Sequence, residues 1–104
     1  MGTTCNKDDF VDNRNMKNTR SLERLVRGFA NHRRIQIMDL LSKKPELSIL
    51  EIATQLKVNF KTISEHVRRL TISGLVIKRS DGSSVRHKLT DKAKSILMFL
   101  RTLE

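Results

Sequence analysis

The sequence predicts a small, mainly α-helical domain that carries one β-hairpin. Apolar residues recur at helical spacing in five blocks between residues 19 and 104. Only residues 75–89 combine alternating side chains with a central turn cluster, as two paired strands do. A chain of 104 residues has room for one hydrophobic core. We therefore predict a single structured domain, residues 19–104, and expect the polar start, residues 1–18, to be an unstructured tail.

Two amphipathic helices are predicted before Pro45. Ser21 is a suitable N-cap for the first, because its hydroxyl can accept a hydrogen bond from a free backbone N–H of the first turn. The second helix ends before Pro45, since proline cannot continue the helical hydrogen bonding. The apolar residues are Leu22, Leu25, Val26 and Phe29 in the first helix, and Ile35, Ile37, Met38, Leu40 and Leu41 in the second.

A helix-turn-helix motif is predicted from Ser48 onward. Ser48 and Glu51 have the spacing of a capping box, in which each side chain accepts a hydrogen bond from a backbone N–H at the helix start. Residues 57–59 leave only a short connection to the next helix. The inward face of the first motif helix is formed by Ile49, Ile52, Ala53 and Leu56.

The second motif helix separates its apolar and charged residues onto opposite faces. Asn59 is its predicted N-cap, and Gly74 is its predicted stop. One face holds Ile63, Val67 and Leu70, and the other holds Lys61, Ser64, Glu65, Arg68 and Arg69. A rod of this kind can enter the major groove of DNA, which is wide enough for an α-helix. The alternative is an ordinary solvated helix face.

A β-hairpin is predicted directly after this motif. Leu75–Arg79 and Val85–Leu89 are its strands, and Ser80–Ser84 with its Asp-Gly pair is the turn. A helix-turn-helix followed by such a hairpin predicts a winged helix. The hairpin carries four basic residues suited to phosphate or minor-groove contact: Lys78, Arg79, Arg86 and Lys88. Alternatively, the hairpin only closes the core, and its basic residues serve solubility.

Positive charge is concentrated on the motif and the hairpin. The chain has 21 Lys and Arg against 11 Asp and Glu, a formal charge of +10. Between Lys57 and Lys88, eight basic and two acidic residues leave a net charge of +6. Such an excess favours polyanionic partners, nucleic acid first and anionic membrane second.

The last predicted helix begins at Thr90 or Asp91 and has an unusually wide apolar arc. This arc consists of Ala93, Ile96, Leu97, Leu100, Phe99 and Leu103. It exceeds what packing within one small domain needs, so we expect a second copy of the chain to cover part of it. The alternative is a helix buried wholly within its own subunit.

Three stretches resemble the ArsR-type winged-helix transcriptional regulators. FANHRRIQIM (29–38) resembles the family's second-helix entry, ISEHVRRL (63–70) its recognition helix, and SGLV (73–76) the segment after that helix. The resemblance extends from Leu22 to Leu103 and implies DNA binding, with dimerisation through the first and last helices. The expected dimer contacts are Leu22, Val26, Phe29, Ile96, Leu97, Leu100 and Leu103.

The chain departs from metal-sensing members of that family at both of their ligand positions. Where those members carry two cysteines, this chain has Ser48 and Leu50, which cannot act as thiolate ligands. The last helix, within residues 91–104, contains no histidine for the second familiar site. We therefore expect no metal site and no cofactor.

Catalytic constellations are also missing from the sequence. His32, His66 and His87 lie on three different predicted elements, and no Gly-rich phosphate loop or paired-carboxylate motif is present. Ser64 and His66 are two residues apart on a helix, so their side chains diverge by about 200° and cannot form a nucleophile–base pair. We expect no enzymatic activity.

The sequence also favours a cytoplasmic location. We find no signal peptide and no apolar run long enough to span a bilayer. The single Cys5 cannot form an intramolecular disulfide, which fits a reducing compartment. Intermolecular pairing of Cys5 is the alternative use of this thiol.

Together these features predict a homodimeric, sequence-specific DNA-binding transcriptional regulator that acts as a repressor. The alternative is a winged-helix protein–protein interaction module with only non-specific nucleic-acid affinity. The expected DNA contacts are Asn59, Lys61, Thr62, Ser64, Glu65, Arg68, Arg69, Lys78, Arg79, Arg86 and Lys88.

Overall fold

The computed structural model describes residues 18–104, and this range contains five helices and one hairpin. The helices are α1 (Thr19–Phe29), α2 (His32–Lys43), α3 (Ile49–Leu56), α4 (Phe60–Ile72) and α5 (Asp91–Arg101), and strands β1 (Val76–Asp81) and β2 (Ser84–Leu89) lie between α4 and α5. The predicted mainly α-helical fold with one hairpin is confirmed. The predicted tail and Cys5 lie outside the described residues, except for Asn18.

The helix-turn-helix begins at the predicted capping box. The Ser48 N–H donates to Glu51 Oε1 at 2.9 Å, and the Glu51 N–H donates to Ser48 Oγ at 3.2 Å. The connection turns at Lys57, whose backbone is left-handed. Asn59 then caps α4, because its Oδ1 accepts the Lys61 N–H at 2.7 Å. All of these partners are three residues apart or fewer, which is why sequence spacing alone could predict them.

The predicted start of α1 is wrong by about one turn. The N-cap is Asn18, whose Oδ1 accepts the Ser21 N–H at 3.0 Å, so Ser21 lies inside the first turn. Asparagine and serine are comparable caps, and both occur here within four residues. The end of α4 is as predicted, since Gly74 has a φ of 78° and terminates the helix.

One hydrophobic core joins α2, α3, α4, α5 and the hairpin. The inner face of α4 lies at its centre, with Ile63, Val67 and Leu70 at most 1% exposed. The remaining buried apolar residues are Ile37, Met38, Leu41, Ile52, Ala53, Leu75, Val76, Leu89, Ala93 and Leu97. This burial fixes the position of α4, because its whole apolar stripe is removed from water.

The hairpin is longer and its turn tighter than predicted. β1 and β2 pair in antiparallel register from Val76↔Leu89 to Asp81↔Ser84. Only Gly82 and Ser83 remain in the turn, and Gly82 has a φ of 64°, which glycine adopts without strain. The predicted five-residue turn is therefore wrong, because the cross-strand hydrogen bonds continue through its polar residues.

The loop before α3 attaches the hairpin to the helix-turn-helix. The His87 N–H donates to Leu47 O, and the Glu46 N–H donates to His87 O, each at 3.0 Å. These bonds form an isolated antiparallel β-bridge between Leu47 and His87 of β2. Glu46 has a φ of 67°, a conformation that few non-glycine residues adopt. The hairpin is thus held by backbone bonds as well as by its own pairing.

Candidate nucleic-acid interface

The outer face of α4 is available to a ligand along most of the helix. Its exposed side chains are Lys61, Thr62, Glu65, Arg68 and Arg69, whereas Ser64 is half-buried. Asn59 uses its carbonyl oxygen to cap the helix, so only its amide N–H groups remain free to donate to a ligand. Six of the seven predicted contact residues on α4 and its cap are therefore exposed, and Ser64 is the exception.

Glu65 draws two arginines together on this face. Arg68 donates to both Glu65 oxygens, at 3.2 Å from Nε and 2.8 Å from Nη2, and Arg69 Nε donates at 3.1 Å. These hydrogen bonds lower the pKa of Glu65 to about 2, so the carboxylate is charged at neutral pH. The three groups are about half exposed, so solvent screens the attraction. The cluster orients the arginines and adds little stability.

The start of α2 adjoins this face, although none of its residues was among the predicted DNA contacts. Arg34 Nε donates to His66 Nδ1 of α4 at 3.2 Å. Burial, and then the charge of Arg34, lower the pKa of His66. Asn31 caps α2 with its side chain. His32 and Arg33 stand with Arg34 in the first turn, which has no acidic residue.

Basic residues at a helix start oppose the helix dipole, whose N-terminal end is already positive. The arrangement therefore suits an anion beside the first turn of α2, held by these side chains and not by the backbone N–H groups of Arg33 and Arg34, which Asn31 already caps. The run Asn-His-Arg-Arg, a capping residue followed by three basic side chains, is the signal that could have identified it.

The four predicted basic residues of the hairpin divide into two pairs. Lys78 and Lys88 are exposed and have no carboxylate partner within residues 18–104. Arg79 instead forms an ion pair with Glu46, with its Nε 2.9 Å from Glu46 Oε1. Arg86 Nη1 donates to Glu46 O at 3.1 Å and to Glu51 Oε1 at 3.3 Å.

Arg79 and Arg86 face each other across the hairpin, where like charges repel. Glu46 and Glu51 offset this repulsion, and the hydrogen bond from Arg79 lowers the pKa of Glu46. Both arginines, which were predicted as DNA contacts, thus have an intramolecular role: they fasten the hairpin to the loop before α3.

His87 is 1% exposed and lies at the base of the hairpin. Its Nδ1 is 3.0 Å from Leu47 O and must carry the proton, because a carbonyl only accepts. Its Nε2 is buried without a hydrogen-bond partner. Burial lowers the pKa of His87, so the neutral ring is favoured.

The predicted dimer residues also differ in exposure. Leu22, Val26 and Leu103 are 38%, 50% and 64% exposed. Phe29, Ile96 and Leu100 are half-buried. Leu97 is 3% exposed and belongs to the core, so the prediction of a direct dimer contact is wrong for this residue. Ala93 and Leu97 are four residues apart on α5, so they lie on the same helix face, and this face is packed against the core. Met98 and Phe99, at 68% and 59% exposure, extend the open apolar face instead.

Within residues 18–104, no three His, Cys, Asp or Glu side chains come close enough together to hold a metal ion. No helix in the same range is long and apolar enough to cross a bilayer.

A helix-turn-helix with an open second helix, followed by a hairpin, is a winged helix-turn-helix DNA-binding domain. Residues 31–78 match the model of the bacterial regulatory protein, arsR family. The chain is 31% identical over 88 residues to the transcriptional activator HlyU of Vibrio cholerae serotype O1, a match that covers 84% of this chain and 81% of that protein. The chain therefore belongs to the ArsR family of transcriptional regulators, as its resemblance predicted.

Solved structures share this architecture. HlyU from Vibrio cholerae superimposes with a TM-score of 0.73 at 31% identity, covering 84% of this chain and 95% of that one. The homodimeric winged helix-turn-helix DNA-binding domain of Mb0332 from Mycobacterium bovis gives a TM-score of 0.77 at 26% identity, covering 88% and 85%. Family and fold are those of transcriptional regulators and not of enzymes.

Proposed function

We propose that this chain is a homodimeric regulator that binds a specific DNA sequence through α4 and the hairpin. One observation carries the proposal: the core holds α4 by Ile63, Val67 and Leu70 while its opposite face presents polar and basic groups to solvent. A helix held in this way can enter the major groove while it keeps its contacts with the hydrophobic core. Two copies related by a two-fold axis would read half-sites about 34 Å apart.

Base recognition falls to the exposed side chains of α4. Arg68 can donate two hydrogen bonds to guanine, and Glu65 can accept from the amino group of cytosine. Because Glu65 already binds Arg68 and Arg69, it also determines where both guanidinium groups point. Lys61 and Thr62, at the start of the helix, are the remaining candidates for base edges and nearby phosphates.

Two pairs of residues on either side of α4 are proposed to contact phosphates. Lys78 and Lys88 form the pair on the hairpin, and they have no carboxylate partner in the described chain. His32 and Arg33 form the other pair, at the start of α2. Such contacts position the protein on the duplex and carry little sequence information.

Selection of bound duplexes from a random library tests the sequence readout. The parent protein should enrich one palindromic motif. Arg68→Ala should lose about 1–3 kcal/mol of affinity for that motif and relax the preference at one position. Lys94→Ala, which removes one charge from the exposed side of α5, is the matched control and should keep the motif. Equal binding of selected and random duplex by the parent would favour the interaction-module alternative.

Salt titration tests the hairpin contacts. The double variant Lys78→Ala with Lys88→Ala should weaken binding to all duplexes alike. The slope of log binding constant against log salt concentration should decrease in magnitude by about 2, since two phosphate contacts are lost. Lys43→Ala with Lys44→Ala removes the same charge from the end of α2 and should leave the slope unchanged. An unchanged slope in the hairpin variant would show that the hairpin does not contact DNA.

The dimer is proposed to form through the open apolar faces of α1 and α5. Met98→Asp with Leu103→Asp places charge on exposed positions, so the subunit core remains intact. Burying these carboxylates in a dimer would be strongly unfavourable. We expect a helical monomer by sedimentation and circular dichroism, with weakened palindrome binding because one particle no longer holds both half-sites. A monomeric parent, or a dimeric double variant, would contradict the proposed interface.

We also propose that the protein acts in the cytoplasm as a repressor. A dimer seated across a promoter blocks access to the duplex by occupying it. The relative HlyU bears the name of an activator, so the sign of regulation has to be measured directly. A reporter driven by a promoter that contains the selected palindrome should lose expression when the protein is supplied. A rise in expression would reverse the assigned sign and leave DNA recognition intact.

A further inference from the structure

A basic crevice lies between α1, the end of α4 and the start of α5. Its volume is 650 Å³, within the range of about 300–1,000 Å³ that small-molecule sites occupy. Four elements contribute its cations, which are Arg24, Arg27, Arg34, Arg69 and Lys92. Among residues 18–104, no Asp or Glu lines it. The crevice adjoins the outer face of α4 at Arg69, and Arg34 of its lining also contacts His66 of the same helix.

The cations of this crevice are only partly neutralised. Arg27 pairs with Glu23 at 3.0 Å and Arg69 with Glu65, but neither carboxylate lines the crevice. Arg24 and Lys92 have no ion-pair partner within residues 18–104. Like charges gathered in a concave site repel one another and focus a positive potential, which a bound anion relieves.

Close helix packing creates the crevice. Gly28 lets α1 approach the end of α4 so closely that a Cβ at this position would lie 1.9 Å from Ser73 Oγ. Arg34 fixes the same corner, because its Nη1 donates to the carbonyls of Arg27 and Gly28 at 3.2 and 3.3 Å. Leu25 and Ile72 supply apolar wall between the charges. The shape is therefore set by packing and does not depend on surface side chains alone.

We propose that this crevice binds a small molecule carrying two or more carboxylate or phosphate groups, which acts as an effector of the DNA-binding face. Arginine matches both anions because its planar fork donates two parallel hydrogen bonds. Arg24 of α1 and Lys92 of α5 would hold separate anionic groups of one ligand. Leu25 and Ile72 would contact its carbon skeleton.

Arg69 links the crevice to DNA recognition, and this second step rests on the proposed function. Arg69 belongs to the crevice lining and also donates to Glu65 Oε2, the oxygen that accepts from Arg68 at 2.8 Å. An anion that engages Arg69 competes with Glu65 for its guanidinium. Glu65 and Arg68 would then settle into a different arrangement on the outer face of α4, and affinity for the palindrome would change.

Direct binding by the DNA-free protein tests the site independently of DNA recognition. Pyrophosphate and citrate are the probes, titrated at constant ionic strength by calorimetry. Arg24→Ala with Lys92→Ala is the test variant. Arg20→Ala with Lys94→Ala is the control, because these neighbours on α1 and α5 are exposed, carry the same charge and do not line the crevice.

We expect at least one probe to bind saturably, one per protomer, and the test variant to weaken it tenfold or more while the control does not. Preference for pyrophosphate or for citrate identifies the anionic group. Absence of saturable binding for both probes, or equal weakening in both variants, would overturn the site. A test variant that also loses DNA affinity tenfold relative to the control would overturn it too, by making the crevice part of the DNA contact. An unchanged palindrome affinity with the probe bound would refute the coupling alone.

Discussion

Replacing Gly28 by alanine should destabilise the domain, although alanine is the better helix former. Gly28 lies within α1, where alanine would be favoured by about 1 kcal/mol. Its backbone, however, packs against Ser73: the new Cβ would lie 1.9 Å from Ser73 Oγ and 2.6 Å from Ser73 Cβ. Rotating the hydroxyl would relieve only the first of these clashes, so α1 has to move away from α4.

The magnitude follows from two opposing effects. Forcing extra volume into a packed contact typically costs about 1–3 kcal/mol. Subtracting the gain in helix propensity leaves a net loss of up to about 2 kcal/mol, and the two short contacts with Ser73 place the variant toward the upper end. For a domain of this size a loss of about 2 kcal/mol lowers the melting temperature by roughly 8–16 °C. Urea unfolding followed by far-ultraviolet circular dichroism measures it, since the chain has no tryptophan or tyrosine for fluorescence.

A double-mutant cycle shows whether the clash is the cause. Ser73→Gly removes both atoms that the new methyl group would meet. In that background Gly28→Ala should become neutral or stabilising, because only the helix propensity remains. If Gly28→Ala stabilises the parent protein, or destabilises both backgrounds equally, the close approach of α1 to α4 does not control stability as argued.

Three further predictions concern single features. Burial lowers the pKa of His87 below 6.5, so the unfolded chain binds a proton that the folded chain does not, and stability present above pH 6.5 should fall as the pH drops below it. His87→Asn, which keeps a donor for Leu47 O, should flatten this fall in urea titrations at several pH values, and an unchanged slope would assign it to other groups, His66 first. Asn59→Ala removes the α4 cap and should cost about 0.5–2 kcal/mol in the same assay, whereas no loss would show that solvent replaces the cap. Calorimetry with zinc should detect no tight stoichiometric site, since Ser48 and Leu50 occupy the family's thiolate positions, and sub-micromolar binding of one zinc per subunit would contradict this.

Local elements followed closely from the sequence because their determinants are neighbours in it. The Ser48–Glu51 capping box, the Asn59 cap and the Gly74 stop each act within three residues, and all three are present as expected. The α1 cap and the hairpin turn were misplaced, since several adjacent polar residues could serve equally well. In those segments, hydrogen bonding along the completed element selected one candidate.

The composition of the candidate sites could be read from the sequence only in part. Every basic residue of the hairpin was identified, but spacing could not show that Arg79 and Arg86 would bind Glu46 and Glu51, which lie 33 and 35 residues earlier. Likewise, the wide apolar arc of α5 was correct as a pattern, whereas the inward placement of Leu97 depended on how α5 packs on the core.

The sequence by itself determined the order of the helices, the open charged face of α4 and the family to which the chain belongs. Each depends on periodicity or on short motifs, which local geometry translates directly into structure. The tertiary structure alone decided which cations form ion pairs within residues 18–104, that His87 is buried, that the start of α2 joins the outer face of α4, and that five cations converge beside Gly28. These are contacts between distant segments, and their distances are fixed by the packing of whole elements around one core and not by spacing along the chain.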